Sequence, residues 1–197
     1  FAANDVGTNY VVDESATSTG VALIEVNRDG ENKIVIVAGA NGLVDPAYVE
    51  QRLDDFSAAD FALLQLEIPP ETVEHALRSL SERGVRTILD PAPVPASGIS
   101  DELVRYASYI TPNTTEAEAL TGVPINDLAA ARRAGNMLLD RGAGTVIIKS
   151  GADGAFIIEG SEARHVGGFT VDAVDTTAAG DAFNAGFAWA LGNGHAL

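Results

Sequence analysis

The chain has no cysteine, and its three histidines, His75, His165 and His195, are far apart and in no ligand spacing. There is therefore no disulfide framework and no thiolate metal site, which suits a cytoplasmic protein, and each histidine reads as structural or surface. No GxSxG, HExxH or EF-hand pattern occurs, so hydrolase-triad and zinc chemistry lack support. The P-loop and dinucleotide fingerprints are missing too, which disfavours a nicotinamide enzyme. No apolar run approaches the length of a membrane span, and no basic-plus-apolar leader opens the chain. Positive charge is scarce: 12 bases stand against 28 acids, for a net charge of −16, and Lys33 and Lys149 are the only lysines. Such a surface repels nucleic acid, so a DNA or RNA partner is not expected. The acids are scattered rather than blocked, which suggests adaptation to high salt; stability rising with molar KCl is the check.

What is present suits one domain with a real core. The 197 residues are 46% hydrophobic, which excludes wholesale disorder. The termini, Phe1-Ala2-Ala3 and Gly192 to Leu197, read as cut edges, so the stretch is expected to be a fragment missing pieces at both ends. Gly20–Val26 and Lys33–Ala38 form two β-rich runs joined by turn chemistry at residues 27–32. Both faces of that hairpin are apolar, the pattern of a strand buried on both sides. It reads equally as a core hairpin or as one covering a ligand with one face and packing on a partner subunit with the other.

From Pro46 the pattern becomes strand and helix in alternation. A helix is expected to Phe56, a strand over Phe61–Leu66 and a helix over Pro70–Arg83. The next elements are a strand over Val85–Leu89, a short helix over Asp101–Ala107 and a short strand over Tyr109–Thr111. Helices follow over Thr115–Thr121 and Asp127–Arg141, then a buried strand over Thr145–Lys149. Ala155–Ile158, Ala163–Val166 and Thr170–Val174 read as β segments near one sheet edge, and Ala182–Leu191 as a final helix. The expected class is α/β: a three-layer, mostly parallel sheet with helices on both faces. In such sheets ligands bind beyond the carboxyl ends of the strands, where Glu67, Asp90, Asn113, Ser150 and the Asp175–Asp181 stretch all fall.

The chain is organised around Ala173–Asn184, in which Asp175, Thr176, Thr177 and Asp181 flank Ala178-Ala179-Gly180 at a helix start. Small residues let backbone approach a ligand, and free N–H groups at a helix head attract anions. Asp181 adds a carboxylate, and an anion cradle beside a carboxylate is what phosphoryl transfer to an alcohol needs. The plain alternative is a capped helix after a strand. Asn113-x-x-Glu116 opens another helix; Glu116 can hold Mg²⁺ through water, or the segment is an N-terminal turn capped by Thr114 or Thr115 and closed by Glu118. The loop Lys149-Ser150-Gly151-Ala152-Asp153-Gly154 permits a tight turn against a nucleotide, or is an ordinary strand connection. Glu67 ends an apolar strand and can accept hydrogen bonds from substrate hydroxyls, or is an exposed strand end.

These segments, in order, resemble the ribokinase-like (PfkB) carbohydrate kinases. Val174–Asn184 resembles the family's C-terminal motif and Ile110–Gly122 its Asn-x-x-Glu segment. Thr19–Ile24, Gly30–Asn32 and Ala38–Asn41 resemble the lid of the ribose-phosphorylating branch, and Leu64–Glu67 and Asp90–Pro93 add to the family resemblance. The resemblance implies one ribokinase-like domain over 1–197, truncated at both ends, with a β lid inserted at 10–41. It implies a kinase that moves the γ-phosphoryl group of ATP to the 5-hydroxyl of D-ribose. Asp181 would be the base and Ala178, Ala179 and Gly180 the anion hole. Asp175 and Thr177 would hold an activating K⁺, and Asn113 and Glu116 would serve the ATP phosphates and Mg²⁺. Lys149, Ser150, Gly151, Ala152, Asp153 and Gly154 would line the nucleotide, with Gly180; Glu67 would bind sugar, and the 20–38 strands would make a homodimer. Kinases for fructose, 2-keto-3-deoxygluconate, ribose 1-phosphate or a nucleoside, and a non-catalytic binder of the same fold, are the alternatives. Lys149 stands where members often carry a small hydroxyl residue. The family's N-terminal sugar-binding elements and the C-terminal part of its adenine pocket are absent, so the stretch alone is expected to be inactive.

Overall fold

A computed structural model describes residues 1–26 and 32–197, which form two compact units, 1–44 and 45–197. In the first unit β1 (Val21–Val26) pairs antiparallel with β2 (Asn32–Val37), Val21 opposite Val37 and Leu23 opposite Val35. Most of the expected turn, residues 27–31, lies outside the described residues. The expected burial is not found. Leu23 is 59% exposed on one face and Ile36 51% on the other. Within this unit a two-stranded ribbon supplies no second layer of its own, and its apolar side chains stay exposed.

The second unit holds a six-stranded sheet in chain order: β3 (Phe61–Leu64), β4 (Arg86–Leu89), β5 (Tyr109–Ile110), β6 (Thr145–Lys149), β7 (Ala155–Glu159) and β8 (Glu162–Val166). The first four are parallel, and β7 and β8 add an antiparallel edge. Side chains alternate across the sheet. Leu89, Ile110, Val146, Ile148 and Ile158 point to one face and are almost wholly buried there. That face is covered by α3 (Pro70–Glu82), α4 (Asp101–Arg105), α5 (Thr114–Thr121) and α6 (Leu128–Asp140). α3 presents Val73, Ala76, Leu77 and Leu80, a 3.6-residue stripe. α6 presents Ala130, Ala131, Ala134 and Leu138, whose mostly small side chains let it lie close to the strands. The opposite face takes α7 (Ala179–Gly192), with Phe187 edge-on to Tyr109 at 5.2 Å between ring centroids.

Three expectations change. The helix after Pro46 is two pieces, α1 (Pro46–Glu50) and α2 (Leu53–Phe56). Between them Arg52 leaves helical geometry to stack its guanidinium 3.8 Å above the Tyr48 ring. β3 ends at Leu64 rather than Leu66, because the Leu66 N–H donates to the Ala92 carbonyl and leaves the ladder. Thr170–Val174 forms no strand; Val171 and Val174 are exposed and nothing in this stretch pairs with the β8 edge.

Candidate functional site

The parallel strands all deliver their carboxyl ends to one rim, and α7 begins above it. The rim and helix head enclose a cleft of about 390 Å³. Of the residues singled out in the sequence, the cleft gathers Asn113, Glu116, Lys149, Gly151, Gly154, Ala178, Ala179, Gly180 and Asp181. Gln65, Asp90, Ala92 and Phe183 complete its walls. Glu67, Ser150, Ala152, Asp153, Asp175 and Thr177 are not on those walls.

The helix head is built by Ala178, which takes left-handed geometry at φ 58° and has no side-chain cap. The Ala179 N–H donates to the Thr176 carbonyl, and the first helical bond runs from the Ala182 N–H to the Ala178 carbonyl. The N–H groups of Gly180 and Asp181 lie between these and are left out of the ladder. Of the expected Ala178–Gly180 cradle, the Ala179 N–H is engaged, while those of Ala178 and Gly180, with that of the neighbouring Asp181, have no acceptor among the described residues. The Asp181 carboxylate is exposed, and its Oδ1 accepts from Gln65 Nε2 at 2.8 Å. Gln65 reaches it because β3 stops one residue earlier. Glu67, two residues further on, is exposed on the following bend.

Below the helix head lies a buried polar network. Asp90 Oδ2 accepts from Lys149 Nζ at 2.7 Å and from Asn184 Nδ2 at 2.6 Å. Thr111 Oγ1 donates to Asn184 Oδ1 at 2.9 Å. Asp90 Oδ1 is buried without a partner among the described residues. The sequence reading assigns no role to Asn184 or Gln65, and it marks Asp90 as a strand end and as part of the Asp90–Pro93 resemblance without a role in the site. The available signal for Asn184 was a polar residue three positions after Asp181 inside an apolar helix.

On the opposite wall α5 opens with a capping box. Asn113 Oδ1 accepts the Glu116 N–H at 2.8 Å, and Glu116 Oε2 accepts the Asn113 N–H at 2.7 Å. The cap is thus Asn113, not Thr114 or Thr115, and Glu116 rather than Glu118 closes the box. Asn113 is the last extended residue, which places Glu116 at the third helical position. Burial pushes the Glu116 carboxyl above its ordinary range; the Asn113 N–H opposes this, Asp90's charge adds to it, and Lys149 opposes it. A raised acid pKa favours the fold below the ordinary value of 4.5 and forfeits that advantage as pH rises through the raised value. At neutral pH the buried carboxyl is therefore a cost to the fold. Glu116→Gln should melt higher than wild type at neutral pH without divalent cation, and the gap should close below pH 4.5. Equal melting temperatures at neutral pH would contradict this.

The nucleotide-loop candidates form a 3-10 turn over Gly151–Asp153, closed by the Ser150 N–H on the Gly154 carbonyl at 2.8 Å. His165 Nε2 lies 2.6 Å from the Asp153 carbonyl and ties the turn to β8. Asp175 and Thr177 stand in the exposed stretch before α7, where Asp175 Oδ1 accepts the Thr177 N–H at 2.8 Å. That backbone bond, with help from the Thr177 hydroxyl, holds the Asp175 carboxyl below its ordinary range. No cluster of three or more acidic or histidine side chains fit to hold a metal occurs among the described residues, and none of their helices is long and apolar enough to cross a membrane.

Known proteins are similar to this chain in sequence and fold. The chain is 42% identical over 191 residues to a ribokinase of Haemophilus influenzae, covering 97% of this chain and 62% of the relative. It is 37% identical to a deoxyribokinase of Salmonella typhimurium, covering 93% and 60%. The solved structure of Arabidopsis thaliana ribokinase complexed with ribose and ATP superposes with a TM-score of 0.83 at 31% identity, over 91% of this chain and 58% of that one. The chain thus spans about three fifths of the length of these curated relatives. The family model described as pfkB family carbohydrate kinase matches residues 1–197, and the chain belongs to that family.

Proposed function

We propose that the whole protein is an ATP-dependent sugar kinase that transfers the γ-phosphoryl group to the 5-hydroxyl of D-ribose. The observation that carries this reading is the Asp181 carboxylate, fixed by Gln65 beside the free N–H groups of Gly180 and Asp181 on a cleft lined by Lys149 and Glu116. The sugar hydroxyl oxygen attacks the γ-phosphorus and the bond to the ADP oxygen breaks. The hydroxyl proton passes to Asp181, while the helix-head N–H groups take up the phosphoryl charge. Asn113, Lys149 and the Ser150–Gly154 turn would line the nucleotide, and Glu67 the sugar.

Glu116 fits Mg²⁺: one of its oxygens is held by the Asn113 N–H and the other is left for a hydrated ion that takes few protein ligands. Mg²⁺ would neutralise phosphate charge there. Asp175, kept ionised and oriented by Thr177, would offer its carboxylate to K⁺. The domain reading remains one ribokinase-like domain with the 10–41 segment as its lid. The exposed apolar hairpin supports a second copy of the chain as its cover, which sedimentation of the whole protein as a dimer would bear out.

The test is ADP release over D-ribose, 2-deoxy-D-ribose, D-fructose, 2-keto-3-deoxygluconate, ribose 1-phosphate and a nucleoside, with and without K⁺. The deoxyribokinase relative justifies the second sugar. D-ribose should give the highest kcat/KM, K⁺ should raise it, and Glu67→Ala should raise the sugar KM. Preference for another acceptor would move the substrate within the family. No turnover on any acceptor would leave the non-catalytic binder, against which the presence of Asp181 argues.

A further inference from the structure

The ion pair between Asp90 and Lys149 lies directly under the head of α7, and its geometry is not that of a pair that serves the fold alone. Lys149 and Asn184 both crowd onto Asp90 Oδ2, while the buried Oδ1 has no partner among the described residues. A purely structural pair gains by satisfying both oxygens. Here the crowding fixes a position instead, drawing the ammonium to the side of Asp90 that faces residue 180. A Cβ added to Gly180 would stand 3.4 Å from Lys149 Nζ and 3.7 Å from Asp90 Oδ2. A side chain at 180 would thus cover the ammonium, and glycine leaves it open beneath the free N–H groups. The carboxylate is sealed, at 4% side-chain exposure, whereas the lysine is 13% exposed and lines the cleft. An ammonium has three donors, and Asp90 engages one.

We infer that Lys149 is the cation that meets the transferring phosphoryl group, and that Asp90 is the positioning residue that holds it under Gly180. The inference rests on the kinase reading above. While the bond to ADP breaks and the bond to the sugar oxygen forms, negative charge on the equatorial phosphoryl oxygens lies against the helix-head N–H groups from one side and the ammonium from the other. Lysine keeps its proton throughout, and the hydroxyl proton still goes to Asp181. Asp90 offsets the lysine charge in the empty cleft.

Lys149→Met alone leaves a buried, unpaired carboxylate and endangers the fold, so the decisive variant removes both charges. Asp90→Asn/Lys149→Met in the whole protein should melt within a few degrees of wild type, yet turn over about 10²–10³-fold more slowly with little change in sugar KM. Turnover within about threefold of wild type would make the pair structural and overturn the inference. Asp90→Asn alone keeps volume and lysine; it should lower kcat about tenfold without moving sugar KM, and an unchanged kcat would remove the positioning role. Calorimetric titration with ATP in the absence of sugar separates this from the kinase reading. If wild type phosphorylates no sugar, an about tenfold weaker ATP affinity in the double variant still supports Lys149 as the phosphate cation, and equal affinity overturns it.

Discussion

Asp181→Asn should lower kcat by about 10²–10⁴-fold while leaving ATP affinity within about twofold of wild type. The substitution keeps the shape of the side chain and an oxygen able to accept from Gln65 Nε2, so the 2.8 Å contact that orients the residue survives. The main-chain N–H groups of Gly180 and residue 181 are unaffected, and the phosphate cradle with them. On the proposed reaction, what is lost is the carboxylate that would accept the hydroxyl proton as the alcohol oxygen bonds to phosphorus. Loss of a base without loss of binding appears in kcat and kcat/KM together, with ATP affinity preserved. Steady-state kinetics over D-ribose, paired with ATP titration of the same preparation, checks both halves. Near-wild-type turnover would remove Asp181 from the role, and loss of ATP binding with loss of turnover would make it a structural part of the helix head.

Gly154→Ala should destabilise the protein by about 2–4 kcal/mol and loosen the Gly151–Asp153 turn, whereas Gly151→Ala should cost about 1 kcal/mol. Both glycines have positive φ, 94° and 55°, so both substitutions carry backbone strain. They differ in what surrounds them. A Cβ at 154 would collide with the Val166 carbonyl oxygen and the Gly168 nitrogen, while one at 151 would meet nothing within 4 Å. Backbone atoms cannot rotate aside as a side chain can, so the end of β8 and the Gly151–Asp153 turn must move apart. That motion would also stretch the link from His165 to the Asp153 carbonyl. Urea unfolding of the two variants measures the difference, and equal midpoints would show that the turn yields freely.

Much of the fold is legible in local pattern. Apolar runs such as Thr145–Lys149 announce buried parallel strands, the stripe on α3 announces its buried face, and Gly84 and Gly142 mark helix ends at positive φ. Some errors fall where a distant partner or its absence decided the outcome, whereas the break at Arg52 and the cap at Asn113 turned on contacts within four positions. β3 stops early because of Ala92, and Thr170–Val174 stays out of the sheet despite strand-forming residues. The hairpin shows the same limit: its pairing follows from β propensity, but its burial depends on a neighbour that the pattern does not name.

The site divides in the same way. The sequence by itself marked the segments that line the cleft: the Asp181 helix head, the Asn113-x-x-Glu116 helix start, though not which of its residues forms the cap, and the glycine turn. Each is a short stretch whose backbone chemistry depends on residues three or four positions apart. Only the tertiary structure decided which side chains meet across those segments. It set Gln65 rather than Glu67 against Asp181, joined Asp90 to Lys149 across 59 positions and to Asn184 across 94, and left Asp90 Oδ1 buried and unpaired. The physical reason is that turns and caps are settled by local hydrogen bonds, whereas a buried carboxylate takes its partners from whichever elements the sheet order and the crossing of α7 bring to its rim.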